Sequence, residues 1–313
     1  MNSFSSVQAE EALRQSRPPA MGHRDAHACA SALVAGDVAA CFQAYFSAET
    51  WEDRWFCLEH VARHNVEGTG HPIDASLIEA WVGGWPDHPV PLLMRASLHA
   101  FNGRDASADL ALVDAIEQNN PLVHGLAVVS RTSCGIGDVE ASLGAMLAID
   151  SLYEPHVHFL RALGPNSSGD LDAAVAFARG VDEMVPTGSP LRAMVPLAAI
   201  EGILAEQPAD HLEYLNDLGL SSSIMMAAGQ SVFHPDFDGP SSVPAVKAMT
   251  AFAVALVLLG EADLALMLHR RLDGVFADWP FSLLASPSMT SWVELGRHMA
   301  QNAPSSAAAG GRL

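Results

Sequence analysis

Glycine recurs along this sequence at nearly constant intervals. The intervals are 34, 33, 34 and 32 residues, between Gly36, Gly70, Gly103, Gly137 and Gly169. Prolines follow at similar steps, at Pro86, Pro121, Pro155 and Pro186. A period near 34 residues is the length of one unit made of two helices and two turns. The sequence therefore predicts a repeated pair of helices, with glycine ending the first helix and proline ending the second.

The residues between these markers are typical of helices. Alanine and leucine dominate, apolar residues recur every three or four positions, and alternating strand patterns are scarce. Asp37, Asp138 and Asp170 each follow a marker glycine, where an acidic side chain favours the start of a helix. Small residues stand five positions after the glycines, and we expect them to let paired helices cross closely: Ala75, Ala108, Ser142 and Ala174. The predicted fold class is all-α.

On these residues the stretch 25–187 resembles tetratricopeptide-repeat (TPR) proteins. The segments 171–201 and 231–235 are similar to actinobacterial repeat-like proteins of unassigned role. The resemblance implies a right-handed α-solenoid of helical hairpins that binds a protein or peptide in its concave groove. We expect residues 1–24 and 301–313 to be disordered, and 188–300 to continue as less regular helices. Within that part, the loop 233–244 is the candidate boundary, and Gly260 is the predicted turn of a last hairpin over 246–276.

The charge balance excludes several function classes. Sixteen basic residues stand against 36 acidic ones, for a formal charge of −20, so we expect neither nucleic acid nor a membrane surface as partner.

The remaining sequence features exclude further classes. The longest apolar run, 248–259, is too short to cross a bilayer. The four cysteines show no metal-binding spacing, which favours reduced thiols in a cytoplasmic protein. Nucleotide-binding and hydrolase motifs are absent from the sequence, and we expect no cofactor.

A set of basic residues on the predicted first helices forms the candidate ligand-binding groove. Arg95 and Arg161 both stand eight residues before a marker glycine, and Arg131 stands six before one. Their guanidinium groups could hold the carboxylates or phosphates of a partner protein, a peptide or a small anionic ligand. The same helices carry His99, His124 and His158. The alternative is that the arginines pair with neighbouring acidic residues.

Three histidine clusters are weaker candidates. His234, Asp236 and Asp238 alternate in the 233–244 loop, where an extended chain would place them on one side as a metal or acid–base site. Ordinary turn chemistry explains the same residues. His60 and His64 lie four residues apart on a predicted helix and could hold a metal, or simply lie at its edge. His156 and His158, in a helix that opens at Pro155, could chelate one metal ion only if that segment were extended, because alternate residues of a helix diverge. The tryptophans, Trp51 among them, are interpreted as packing residues.

Two functions remain open from the sequence. The first is a binding or scaffold protein that recognises its partner in the groove of the array. The second is a small-molecule enzyme of the biosynthetic tailoring type, built on the same scaffold and using His, Asp and Arg residues in a pocket. An open groove favours recognition, whereas a closed pocket lined by several such residues favours chemistry. Homo-oligomerisation is compatible with either function.

Overall fold

The structure is a computed structural model that describes residues 23–66, 73–135, 138–167 and 169–273, with single positions at 275, 277 and 280. The side chains of residues 64–66 also lie outside the description, as do residues 1–22 and 301–313, for which disorder is expected. His23 and Arg24, also expected to be disordered, instead begin the first described helix. Within the described residues there are fifteen α-helices and one 3-10 helix, and no strand. The predicted all-α fold is confirmed. No described helix has both the length and the apolar character needed to cross a bilayer.

The chain divides into two compact units between residues 174 and 175. The loop 233–244 lies inside the second unit. The N-terminal unit contains nine complete helices: α1 (Arg24–Val34), α2 (Val38–Ser47), α3 (Trp51–Val66), α4 (Ala75–Gly84), α5 (Pro89–Phe101), α6 (Ser107–Ile116), α7 (Pro121–Cys134), α8 (Val139–Leu147) and α9 (Tyr153–Leu163). Helix α10 (Leu171–Met184) crosses the division.

Odd- and even-numbered helices have different roles in the N-terminal unit. Each odd-numbered helix packs against the next one, so that α1, α3, α5, α7 and α9 form a continuous row. The even-numbered helices α2, α6 and α8 pack against the odd helices on both sides, while α4 packs mainly on α5. Successive helical hairpins therefore stack in the order of the sequence, as the repeat predicts.

The turn glycines follow the prediction only in part. Gly36 and Gly103 have positive φ angles, of 76° and 65°, at the ends of α1 and α5. Helix α7 ends instead at Gly135, with φ 65°, while Gly70 and Gly137 lie outside the described residues. Gly169 does not have a positive φ, and the preceding helix already ends at Leu163. Gly169 lies against the Leu163 carbonyl, and a Cβ at this position would not fit.

Two of the prolines begin helices rather than end them. Pro121 is the first residue of α7, and Pro155 lies in the first turn of α9. The prediction that proline closes the second helix is therefore wrong at these positions, although Pro86 and Pro186 do follow α4 and α10. The first turn of a helix leaves its N–H groups without intrahelical partners, so a proline there sacrifices no hydrogen bond.

The predicted helix starts are confirmed. The carboxylates of Asp37, Asp138 and Asp170 accept hydrogen bonds from backbone N–H groups three residues ahead, at 2.9, 2.8 and 2.7 Å. The small residues divide into two groups: Ser142 and Ala174 are buried, whereas Ala75 and Ala108 are exposed. In α6 the neighbouring residue Asp109 is buried instead of Ala108, so a carboxylate faces the helix that precedes it.

Trp55 is the largest fully buried side chain of the N-terminal unit, and four helices meet around it. It lies in α3, one turn beyond Trp51, and its ring meets the edge of Phe101 in α5 at a centroid distance of 6.1 Å. The ring also packs on Gly125 in α7, and Gly125 in turn lies close to Pro155 in α9. The start of α9 is also fixed to α3, since the Tyr153 N–H donates to Glu52 at 2.6 Å.

The C-terminal unit is built around one apolar helix. Its elements after α10 are the 3-10 helix Pro190–Ala193, α11 (Met194–Glu206), α12 (His211–Asp217), α13 (Leu220–Gln230), α14 (Val243–Leu258) and α15 (Ala262–Leu272). Helix α14 is buried along most of its length and contacts the 3-10 helix, α11, α13 and α15. The hairpin predicted over 246–276 corresponds to α14 and α15, with Gly260 at φ 77° in the turn and Ala265 fully buried.

All four cysteines are free thiols, as expected from their spacing. Cys29, Cys41 and Cys57 are buried together where α1, α2 and α3 meet, and Cys134 is half-buried. The Cys29 thiol donates to the Cys41 carbonyl at 3.6 Å. Contacts with the Cys41 and Cys57 side chains, together with burial, raise the pKa of the Cys29 thiol far above its ordinary value. These thiols therefore behave as small core residues.

The packing around Trp55 predicts that Gly125→Ala destabilises the protein. A Cβ at residue 125 would lie 2.7 Å from Trp55 Cζ3 and 3.0 Å from Pro155 Cγ, so a helix or the ring must move, at a cost of about 1–3 kcal/mol. Gly144→Ala in α8 is the matched control, because nothing lies within 4 Å of its Cβ. Alanine should stabilise that helix by about 0.5–1 kcal/mol. Urea unfolding of both variants measures the difference, and equal stabilities would contradict this account of the core.

Candidate functional site

Arg95 of the predicted groove is held by carboxylates of the neighbouring helices. Its Nε and Nη2 donate to the two oxygens of Asp109 in α6 at 3.0 and 2.6 Å, and its Nη1 donates to Glu79 in α4 at 2.7 Å. These contacts, that with Asp109 foremost, raise the pKa of Arg95 above its ordinary value. Arg95 thus joins three helices, which is the intramolecular pairing that the sequence left as the alternative.

His99 and Arg131 are also engaged within the fold. His99 Nδ1 lies 3.7 Å from Asp109, and burial, reinforced by the positive charge of Arg104, lowers the pKa of His99. The ring is therefore neutral at pH 7 and adds no positive charge there. Arg131 Nη1 donates to the Asp138 carbonyl at 2.8 Å and to the Ser142 hydroxyl in α8. Arg131 thus fixes α7 to the helix that follows, whereas His99 lies beside Asp109 of α6 without a hydrogen bond to it.

The other three residues of the predicted groove lie on α7 and α9. His124 is half-buried in the first turn of α7, and Arg161 is exposed near the end of α9. His158 in α9 packs edge-on against Phe101, at a centroid distance of 5.7 Å. The binding of a ligand by this set of six residues stays a prediction. At least three of them have a structural role.

The 233–244 loop folds as turns and not as an extended chain. The Phe237 N–H donates to the His234 carbonyl at 3.1 Å, and the Asp236 N–H donates to His234 Nδ1 at 3.2 Å. The extended alternation that would place His234, Asp236 and Asp238 on one side is therefore absent, but the turn still brings His234 Nδ1 within 3.5 Å of Asp236 Oδ2. Two of the three predicted residues thus lie together at an exposed turn. Phe237 is buried beneath the Arg271 guanidinium, at 5.8 Å, so the loop is anchored by packing. This favours the turn interpretation.

The metal candidates gain no support where the structure describes them. No group of three or more His, Cys, Asp or Glu residues in the described part of the chain is arranged to hold a metal ion. His60 lies in α3 with its ring 6.0 Å from that of Phe56. The side chain of His64, its predicted partner, lies outside the described residues.

A pocket of about 270 Å³ opens in the N-terminal unit at the start of the odd-numbered helices. Its walls come from the end of α2, the first turns of α3 and α5, and the connection between α6 and α7. Tyr45, Val90, Leu93 and Asn120 form the buried part, Trp51 and Arg54 are half-buried, and the exposed rim consists of Phe46, Glu117, Gln118 and Asn119. One face is therefore aromatic and the opposite face is polar.

Arg54 is the cation of this pocket. Its guanidinium carbon lies 5.0 Å from the centre of the Trp51 ring, and its Nε donates to the Ala48 carbonyl at 3.1 Å. These two contacts fix the plane of the guanidinium group. No carboxylate of the described residues forms an ion pair with it, in contrast to Arg95. Its two terminal nitrogens can therefore donate to a ligand.

Tyr45 lies at the floor of the pocket and is 3% exposed. Burial raises the pKa of its phenol well above the ordinary value, although the nearby Arg54 opposes this effect and Glu117 adds to it. Both charged groups therefore act on the same hydroxyl. Within the described part of the chain, no residue hydrogen-bonds to the Tyr45 hydroxyl, so its polar atom is available to a ligand at the floor.

The polar wall has its geometry fixed by the turn between α6 and α7. Asn119 adopts a left-handed conformation with φ 65°. Asn120 caps α7, because its Oδ1 accepts from the Leu122 N–H at 3.0 Å, and its Nδ2 donates to Glu117 Oε2 at 2.8 Å. The second oxygen of Glu117, Oε1, takes no part in this bond. The turn thus presents an oriented carboxylate at the rim.

An exposed aromatic patch adjoins the pocket at Phe46. The patch consists of Phe42, Phe46, Trp85 and His88, with neighbouring ring centroids 4.7 to 6.1 Å apart. Phe46 is 47% exposed and Trp85 54%. Large aromatic side chains that stay in water beside a pocket are typical of recognition surfaces.

The sequence analysis missed this pocket. Trp51 was interpreted as a packing residue, and Tyr45, Arg54 and Asn120 were not singled out. The residues belong to four separate stretches that only the stacking of α2, α3 and α5 brings together. The available signal was weak: a turn containing Glu117, Gln118 and two asparagines, placed before a proline that starts a helix. Comparison with family models, curated proteins and solved structures gave no match for this chain.

The pairing of Arg95 predicts that Asp109→Ala destabilises the fold. The substitution removes both hydrogen bonds from the half-buried Arg95 guanidinium to α6. We expect the free energy of unfolding to fall by about 1–3 kcal/mol. Asp114→Ala on the same helix is the control, since Asp114 is exposed and its loss should change stability by less than about 0.5 kcal/mol. Thermal or urea unfolding compares the two. A change as small for Asp109→Ala as for the control would show that Arg95 is not a structural residue.

Proposed function

We propose that this chain is a TPR-like binding protein of the cytoplasm that takes a small ligand in the pocket between α2, α3, α5 and the α6–α7 turn. One observation carries the proposal: the pocket combines three aromatic side chains with an arginine that no described carboxylate pairs with. In a chain with a formal charge of −20, such an arginine is a specific attraction for an anion. The four free thiols support the assignment to a reducing compartment.

The size of the pocket favours a small molecule over a protein segment. A volume of about 270 Å³ corresponds to roughly nine water molecules at about 30 Å³ each, and it lies just below the usual range of small-molecule sites. One ring with a short polar chain fills such a space. A peptide would need a longer cleft for its backbone, whereas this pocket is short and open on the side of its exposed rim.

The chemistry of the walls favours an anionic ligand with an aromatic body. Tyr45, Phe46 and Trp51 offer ring faces and edges to a planar apolar group. Arg54 offers terminal N–H groups to a carboxylate in a bidentate arrangement. The first turns of α3 and α5 and the cap of α7 border the same space, and the partial positive charge of helix N-termini adds to the attraction.

The enzyme alternative has one observation in its favour, the pair of His234 Nδ1 and Asp236 Oδ2 at 3.5 Å. That pair lies in a turn, with the Asp236 side chain 70% exposed, and neither residue lines the pocket. The new pocket contains one arginine, one glutamate and one tyrosine. None of these side chains is placed against a second group that would take or supply its proton. Recognition is therefore the function that the arrangement supports best.

Binding of 3-phenylpropionate tests the proposal. This probe carries one ring and one carboxylate, and we expect saturable binding with a Kd on the order of 0.1–1 mM by calorimetry or NMR titration. Arg54→Gln should weaken binding about tenfold or more, because a charge-assisted hydrogen bond is worth about 1.5–3 kcal/mol. Arg104→Gln, at an exposed arginine outside the pocket, should leave the Kd unchanged. An absence of saturable binding, or an equal loss in both variants, would refute the proposed site.

A further inference from the structure

Two opposite charges line the pocket without pairing with each other. Arg54 stands on the α3 side, fixed over Trp51, and Glu117 stands on the α6–α7 turn, fixed by Asn120. Both line the same pocket as the buried Tyr45. The structure describes both side chains, and no ion pair joins them. The nitrogens of Arg54 and the carboxylate oxygens of Glu117 therefore lie more than 4.0 Å apart. A ligand can fill that space between the charges.

We infer that the ligand is a free aromatic α-amino acid, an inference that rests on the proposed function. The carboxylate of this ligand accepts hydrogen bonds from the terminal nitrogens of Arg54. Its ammonium group donates a hydrogen bond to Glu117 Oε1. Its ring enters the aromatic part formed by Tyr45, Phe46 and Trp51. A zwitterion supplies a partner of opposite charge to Arg54 and to Glu117 at the same time, because its carboxylate and its ammonium group branch from one carbon.

Other ligands of similar size leave one wall unsatisfied. A simple aromatic carboxylate binds Arg54 but places no positive charge beside Glu117, whose carboxylate then weakens the binding of any anion. An aromatic amine binds Glu117 and leaves the guanidinium without a partner. A phosphate ester carries more negative charge than a single arginine balances, and it meets Glu117 at the rim. The amino acid is the one class that matches the rings, the cation and the anion together.

The hydroxyl of Tyr45 gives the floor a further preference. The Tyr45 residue is 3% exposed, and no residue in the described part of the chain hydrogen-bonds to its hydroxyl. Because its raised pKa keeps the phenol protonated, the group can donate to the ligand carboxylate or accept from its ammonium group. Tyr45→Phe should therefore weaken amino-acid binding about threefold while the aromatic wall stays in place.

Three probes of one size decide the inference. We expect L-phenylalanine to bind the unmodified protein at least fivefold more tightly than 3-phenylpropionate, which lacks the ammonium group, and than 2-phenylethylamine, which lacks the carboxylate. Calorimetry or NMR titration at pH 7 and low ionic strength measures all three dissociation constants. The comparison needs no altered protein, so it does not depend on a variant that folds.

Variants then assign the two charges. Glu117→Gln keeps an oxygen for the Asn120 Nδ2 bond but removes the negative charge. It should reduce the affinity for L-phenylalanine to that for 3-phenylpropionate, whose own binding should stay equal or improve. Glu140→Gln is the matched control, an exposed glutamate of α8 outside the pocket, and should leave every Kd unchanged.

The outcomes separate this inference from the proposed function. If 3-phenylpropionate binds as tightly as L-phenylalanine or more tightly, the amino-acid assignment fails and the pocket remains a site for aromatic anions. If 2-phenylethylamine binds best, both the assignment and the role of Arg54 fail. If none of the three probes binds saturably, the proposed function fails with the inference. A fivefold preference for L-phenylalanine that Glu117→Gln abolishes supports both.

Discussion

The contact between Trp55 and Gly125 holds the N-terminal unit in its arrangement. A tryptophan on α3 needs space among the odd-numbered helices, and only a residue without a side chain at position 125 lets α7 approach its ring. Phe101 and Pro155 complete the contact, so that α3, α5, α7 and α9 share one buried ring. The indole N–H has no hydrogen-bond partner among the described residues. An unpaired buried N–H is unfavourable in free energy. Burial of the large apolar ring must outweigh this loss in this part of the core.

The same helix that carries Trp55 also forms the pocket. Trp51 precedes Trp55 by one helical turn, and Arg54 is its immediate neighbour in sequence. Once Trp55 fixes the position of α3 against α5 and α7, Trp51 and Arg54 must lie beside the first turn of α5 and the turn that leads into α7. The site is therefore a consequence of the core. Its aromatic wall and its cation are placed by a helix that the interior holds in position.

The arginines show how an acidic chain distributes few cations. Arg95 joins α5 to α6 through Asp109, and Arg131 joins α7 to α8 through Ser142 and the Asp138 carbonyl. Guanidinium N–H groups of both arginines thus donate to partners within the fold. A regular spacing of arginines therefore need not mark a ligand site. Arg54 differs because its terminal nitrogens make no hydrogen bond within the described residues, and because it lines a pocket. The distinction between a structural and a recognising arginine thus lies in the partner and not in the position along the repeat.

The sequence predicts the fold better than the site, for physical reasons. Helix pairing follows from local patterns, such as the caps at Asp37, Asp138 and Asp170 and the turn at Gly103, which act within a few residues. The prolines were misplaced because Pro121 satisfies the start of a helix as readily as the end of the one before it. The pocket could not be predicted in this way, since Tyr45, Arg54 and Asn120 meet only through the stacking of separate hairpins. Local preferences determine where the helices lie in the sequence, and their packing determines which side chains face each other.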